Sequence, residues 1–151
     1  MNYREYWQEF ARNGDFDLHK PKSGSTQYRA LLPGTAKETW LYASLHGDDP
    51  RIKRSIGVGV SFTGPYAAER YEALKQRCAQ EIAQLQQPVY DGDFAANGPF
   101  EDAAAGLLFC FSVRNEGFDP ENTAQWRDQH NWMCRWLPKY QDVFRRCLSR
   151  K

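Results

Sequence analysis

Few residues in this chain have the types and spacing that chemistry requires. Asp48 and Asp49 follow "ETWLYASLH", a stretch with strand character. A restriction-endonuclease-like centre needs an Asp at one strand end and a Glu/Asp-x-Lys on the next. The carboxylates hold a divalent metal ion and the Lys assists the attacking water. The following strand, "IGVGVSF", carries neither an acid nor a Lys, and Glu5 or Glu9 from an N-terminal helix would not restore the pair. Only a degenerate metal-dependent nuclease is compatible with this pattern. His130 and Cys134 are four apart, as two zinc ligands on one helix face would be. His46, His19 or Cys147 would have to complete the set, and the Trp and Met residues around the pair favour ordinary core packing.

The glycines of "RSIGVGVSFTG" raise the question of a phosphate loop. Such a loop places its glycines after the strand, at the turn that opens a helix. Here Gly57 and Gly59 sit inside a β-branched alternation, and neither GxGxxG nor GxxxxGK[ST] is matched. The pattern predicts a strand with glycine on one face and a close neighbour there, a helix or a partner. Cys110 lies in an apolar strand, where a thiol is inert. No GxSxG is present. Asp91, Asp93, Glu101 and Asp102 form an acidic loop without EF-hand spacing. No catalytic residue, metal ligand set or cofactor is assigned.

The basic residues gather in two places: Arg51, Lys53 and Arg54, and then Arg145, Arg146, Arg150 and Lys151. The first group is the candidate nucleic-acid contact. The second would grip phosphate or an acidic partner, or complement the negative end of a helix dipole. A net charge of +1 gives the molecule a weak overall field, unlike a dedicated nucleic-acid binder. Trp132 and Trp136 step off the apolar seam of the last helix. Exposed, they would be an aromatic anchor for a partner; buried, they cover a sheet edge.

The elements that position these residues follow from periodicity. Tyr3, Tyr6, Trp7 and Phe10 predict a helix over 3–12 that Asn13-Gly14 ends. Strands are predicted over 27–32, 38–46 and 56–62. Gly64-Pro65 opens a helix running to about Gln86, with Tyr71, Leu74, Cys78, Ile82 and Leu85 as its buried stripe. Residues 88–90 read as a possible short strand, 91–106 as a long loop and 107–113 as a strand. Asp119-Pro120-Glu121 reads as the cap of a last helix. Its face is Trp126, His130, Met133, Leu137, Tyr140, Phe144 and Cys147, and Pro138 should kink or split it. The order is α-β-β-β-α-(β)-β-α: an α+β single domain over 1–151 with a largely antiparallel sheet covered by helices.

Composition sets the broad class. The chain has 151 residues, 41% of them hydrophobic and 15% aromatic, which is enough to build a core and excludes disorder as the main state. No apolar run reads as a signal peptide or a membrane span, so a cytoplasmic protein is expected. Four cysteines without CxxC spacing are then expected to be reduced thiols in the core.

"YWQEF", "IGVGVSF", "YEALKQRCAQEIAQL", Trp126, "NWM" at 131–133 and "LPKYQDVFRRCL" occur in an order that resembles an uncharacterised bacterial and archaeal domain-of-unknown-function family. In that family the domain is often C-terminal in larger proteins, some of them nuclease-related. Two departures stand out: Val89-Tyr90 where relatives commonly carry a Trp, and Gly59 where the outward position is often acidic. The resemblance implies a fold and a link to nucleic-acid processing or defence, and transfers no active site. The resulting expectation is a non-catalytic interaction domain. It would bind a protein, or a protein–nucleic acid assembly, in bacterial defence, restriction or its evasion, as an adaptor or a mobile-element-encoded inhibitor. The alternatives are the degenerate nuclease and a nucleic-acid-binding module.

Overall fold

The computed structural model describes residues 3–13, 26–32, 38–47, 54–85, 93–96, 100–102 and 106–149. Its elements are α1 (Tyr3–Asn13), β1 (Gln27–Leu31), β2 (Thr39–His46), β3 (Ser55–Phe62), α2 (Ala67–Arg77), α3 (Ala79–Leu85), β4 (Asp93–Ala96), β5 (Phe100–Asp102), β6 (Gly106–Asn115) and α4 (Trp126–Ser149), the last preceded by a 3-10 turn over Thr123–Gln125. The architecture is α+β, as periodicity predicts. The sheet order is β1-β2-β3-β6-β4, with β5 also pairing β6, and every pairing is antiparallel.

The alternation in β3 fixes the register of the sheet. Tyr28, Ala43, Val58 and Val113 stand side by side across four strands. Helices cover this face. The Trp7 and Phe10 rings of α1 meet Tyr28, and Tyr71 of α2 meets Phe62 edge-on. Ile56, Val58, Val60 and Phe62 are fully buried with Met133, Leu137, Tyr140 and Phe144 of α4 in one cluster. The glycine face of β3 is buried as well. A Cβ on Gly57 would stand 3.0 Å from Ser44 Oγ and 3.3 Å from the Val113 carbonyl, so the close neighbours at this glycine lie within the sheet itself.

Glu38 and Gly64 hold the other end of the β2–β3 pair. Glu38 is a non-glycine residue at φ 70°, a conformation that costs about 1 kcal/mol or more. Arg70 offsets that cost. It donates to Thr39 Oγ1 at 3.1 Å and to the Thr63 carbonyl, and it lies 3.6 Å from the Glu38 carboxylate. Gly64, at φ 86°, leaves room for that carboxylate, which a Cβ would strike.

Four expectations are corrected. The helix expected from Gly64-Pro65 to about Gln86 is two helices, broken at Cys78. The segment expected as a loop over 91–106 contains β4 and β5, made by pairing with β6 rather than by their own weak strand propensity. Asp119 does not cap α4: its carboxylate accepts from the Glu121 amide at 2.9 Å, and Asn122 caps the 3-10 turn by accepting from the Ala124 amide at 3.2 Å. Of the kink or split expected at Pro138, the split does not occur: α4 runs for 24 residues through it. An interior proline costs about 3 kcal/mol, and the buried neighbours Leu137, Tyr140 and Phe144 outweigh it. The short strand expected at 88–90 lies outside the described residues.

The cysteines depart from expectation too. Cys78 and Cys147 form a disulfide between residues 69 apart in sequence, and both are fully buried. Cys134 is a free thiol, half-buried. No helix among the described residues is long and apolar enough to cross a membrane.

Candidate functional site

A cleft of about 450 Å³ opens between the end of β6 and the first turns of α4. It is lined by Asn115, Phe118, Asp128, Asn131, Trp132 and Arg135. The helical wall follows from spacing: Asp128, Asn131, Trp132 and Arg135 recur at three, four and seven residues, one face of a helix. Trp132 and Asn115 are buried, at 2% and 4% exposure, and form the inner surface. Asp128, Asn131 and Arg135 are exposed at the rim.

The loop that completes the cleft is fixed by side chains bonding to backbone. Asn115 Oδ1 accepts from the Gly117 amide at 2.8 Å and turns the chain as β6 ends. Gln125 Oε1 accepts from the Asp119 amide at 3.0 Å. Trp126 Nε1 donates to the Pro120 carbonyl, and Gln129 Nε2 to the Asp119 carbonyl, both at 2.8 Å. The Tyr6 hydroxyl donates to Gln129 Oε1 at 2.8 Å, which ties α1 into the same network. Burial raises the Tyr6 pKa well above its usual value, so the phenol keeps the proton it donates. The wall is therefore built before any ligand arrives.

Chemically, the cleft offers a carboxylate, two amides and a guanidinium around an aromatic inner surface. These groups recognise by hydrogen bonds and charge. None of its six lining residues is a nucleophile of the Ser, Cys or Lys kind.

The residues singled out from sequence are dispersed. Trp132 and Trp136 are buried, at 2% and 4% exposure, so the condition for an aromatic anchor is not met. Trp132 lines the cleft, and Trp136 packs between Trp132 and Tyr140 with the Lys139 ammonium 4.4 Å from its ring centre. Arg145 pairs with Asp142 at 2.6 Å, and Arg146 Nε donates to the Asp142 carbonyl at 3.4 Å. Both lie about 20 Å along α4 from Trp132. Arg54 is held by two acids, Asp119 at 3.2 Å and Glu121 at 2.5 Å. Its hydrogen bond to Asp119, with both negative charges beside it, raises its pKa further. Arg51 and Lys53 lie outside the described residues, as do Asp48 and Asp49. Of the candidate nuclease acids on α1, Glu5 is exposed and Glu9 lies 3.9 Å from Arg12.

His130 is fully buried, edge-on to Tyr6 at 4.5 Å and to Phe10 at 5.6 Å between ring centres. Burial lowers its pKa to about 4, so it is neutral at physiological pH. Among the described residues no group of three or more His, Cys, Asp or Glu gathers as metal ligands would.

Asn115, Phe118, Asp128, Asn131 and Arg135 were missed as site residues. The Asn-x-Gly after an apolar strand signals a turn, but that the turn faces α4 follows only from the fold. Comparison with protein-family models, curated proteins and solved structures finds no match.

Proposed function

We propose that this chain is a non-catalytic interaction domain that binds a polar protein segment in the β6–α4 cleft. The supporting observation is the preformed cleft, with Phe118 half-buried in it and an exposed rim of Asp128, Asn131 and Arg135. Polar and charged groups at the edge of a fixed concavity set the orientation of a partner and exclude wrong ones. Nucleic acid is the weaker candidate, because Arg54 already carries two carboxylate partners. The setting within bacterial defence, restriction or its evasion rests on the sequence resemblance, and the cytoplasmic location on the apolar pattern of the sequence. One feature must be reconciled with it: in a reducing compartment, a disulfide is usually transient or sensing.

The test is capture of partners from the native lysate, with and without nuclease, by the wild-type chain and by an Asn131→Ala/Arg135→Glu variant. The expected result is a nuclease-resistant protein partner whose recovery falls at least about tenfold in the variant. The Arg145→Ala/Arg146→Ala variant should retain it. Equal recovery by all three chains would overturn the cleft as the binding site. Plasmid cleavage with Mg²⁺ or Mn²⁺ that Asp48→Ala or Asp49→Ala abolishes would replace the reading with the nuclease. Partners lost to nuclease, with affinity falling steeply in salt, would replace it with nucleic-acid binding.

A further inference from the structure

We propose that the Cys78–Cys147 disulfide is a redox latch: it bends one helix into α2 and α3, and its reduction lets them rejoin as one rod that lifts α3 from α4. The bend has no local cause. Residues 67 to 85 read "AAERYEALKQRCAQEIAQL", without Pro, Gly, Ser, Asn or Asp, and are dominated by strong helix formers. Sharp bends in helices have identifiable causes, such as proline or a side chain drawn out of the helical path. The bend falls on the residue whose side chain is bonded to α4. Cys78 has φ −110° and ψ 24°, away from helical values. Its neighbours nonetheless keep the helical bonding pattern: the Cys78 amide donates to the Leu74 carbonyl and the Ile82 amide to the Cys78 carbonyl, both at 2.9 Å. A rotation at one residue would straighten the pair.

The bridge also does much to hold α3 down. This seven-residue helix buries only Ile82 and Leu85, and a helix so short has little stability of its own. Both sulfurs are fully buried, so a reductant reaches them only when α3 opens. An external dithiol then attacks one sulfur, forms a mixed disulfide and closes on itself. Two electrons and two protons pass to the protein as two thiols, and the dithiol leaves as a disulfide. Freed, α3 uncovers Ile82 and Leu85, which are buried in the oxidised chain. Cys134 does not compete, since it lies about 20 Å along α4 from Cys147. The latch stands independently of what fills the cleft.

The experiment is hydrogen exchange on the folded wild-type chain before and after dithiothreitol, with intact mass and thiol alkylation to count bonded cysteines. Cys147→Ser and Cys78→Ala, each carrying Cys134→Ser, serve as permanently open forms. The expected result is a bridge that dithiothreitol opens without denaturant. Amides 79–85 then exchange at least about tenfold faster, while those of β3 and α1 keep their protection. Three results would each overturn the latch: unchanged exchange over 79–85 on reduction, loss of protection through the whole chain, or a bridge that opens only in denaturant.

Discussion

Both halves of α4 bury apolar side chains in the core, but what is added to that packing differs. The first half is fastened by rings: Tyr6 lies edge-on to Trp126 at 5.1 Å and to His130 at 4.5 Å, and Phe10 approaches His130 from another side. The second half is fastened by the bond to Cys78 and by Arg77, which donates to the Leu148 carbonyl at 3.0 Å near the helix end. Ring packing acts in the folded state and spreads its contribution over many contacts. The cross-link acts chiefly on the unfolded chain: closing a loop of this length removes entropy equivalent to about 4 kcal/mol. Both ends are therefore sensitive to side-chain shape, and the second also to the redox environment.

The largest break in this comparison should come from Trp7→Ala. Removing an indole buried against Tyr6, Phe10 and Tyr28 should cost about 3–5 kcal/mol. It would be read as a lower denaturation midpoint at unchanged slope. A loss under about 1 kcal/mol would place α1 outside the cooperative core. Next comes Cys147→Ser, expected to cost about 2–4 kcal/mol, with the first half of α4 keeping its protection.

Acid should separate the halves as well. The folded His130 has a pKa of about 4, below its value near 6.5 in an unfolded chain. Its contribution is therefore complete above pH 6.5 and is lost as pH falls toward 4, because the unfolded state takes up the proton first. The loss should approach about 3 kcal/mol. His130→Gln should flatten that part of the pH–stability curve, and an unchanged curve would refute the assignment. The smallest effect should be that of Tyr6→Phe, about 1–2 kcal/mol, since Gln129 Oε1 loses its buried donor. Urea titration of the two proteins measures it.

Much of the fold was legible because its signals are local. Ile56, Val58, Val60 and Phe62 alternate, and Tyr6, Trp7 and Phe10 share a helical face, so β3 and α1 fall within a residue or so of expectation. What could not be read was decided by distant residues. Nothing near Cys78 predicts a break in the helix, and the residue it is bonded to lies 69 positions away. Pro138 is a helix breaker by propensity and is overruled by burial on both sides of it. β4 and β5 lack β-branched residues and exist because β6 offers an edge. The cleft escaped for the same reason: Asn115 and Arg135 are unremarkable until β6 lies beside α4, and the two Trp residues drew attention away from the polar stripe next to them.

β6 has a further consequence for how the chain reaches this state. β1, β2 and β3 pair in sequence order, but β3 must wait for a neighbour that follows α2, α3, β4 and β5. Contacts of such long sequence separation form late, after a large loop has closed. Until then an early meander presents Ile56–Phe62 as an uncovered edge strand, apolar and without a charge to deter another chain. Ribosome-bound or dilute chains can wait for β6, whereas crowded ones meet each other's β3 first, so yield on refolding is governed by concentration more than by final stability.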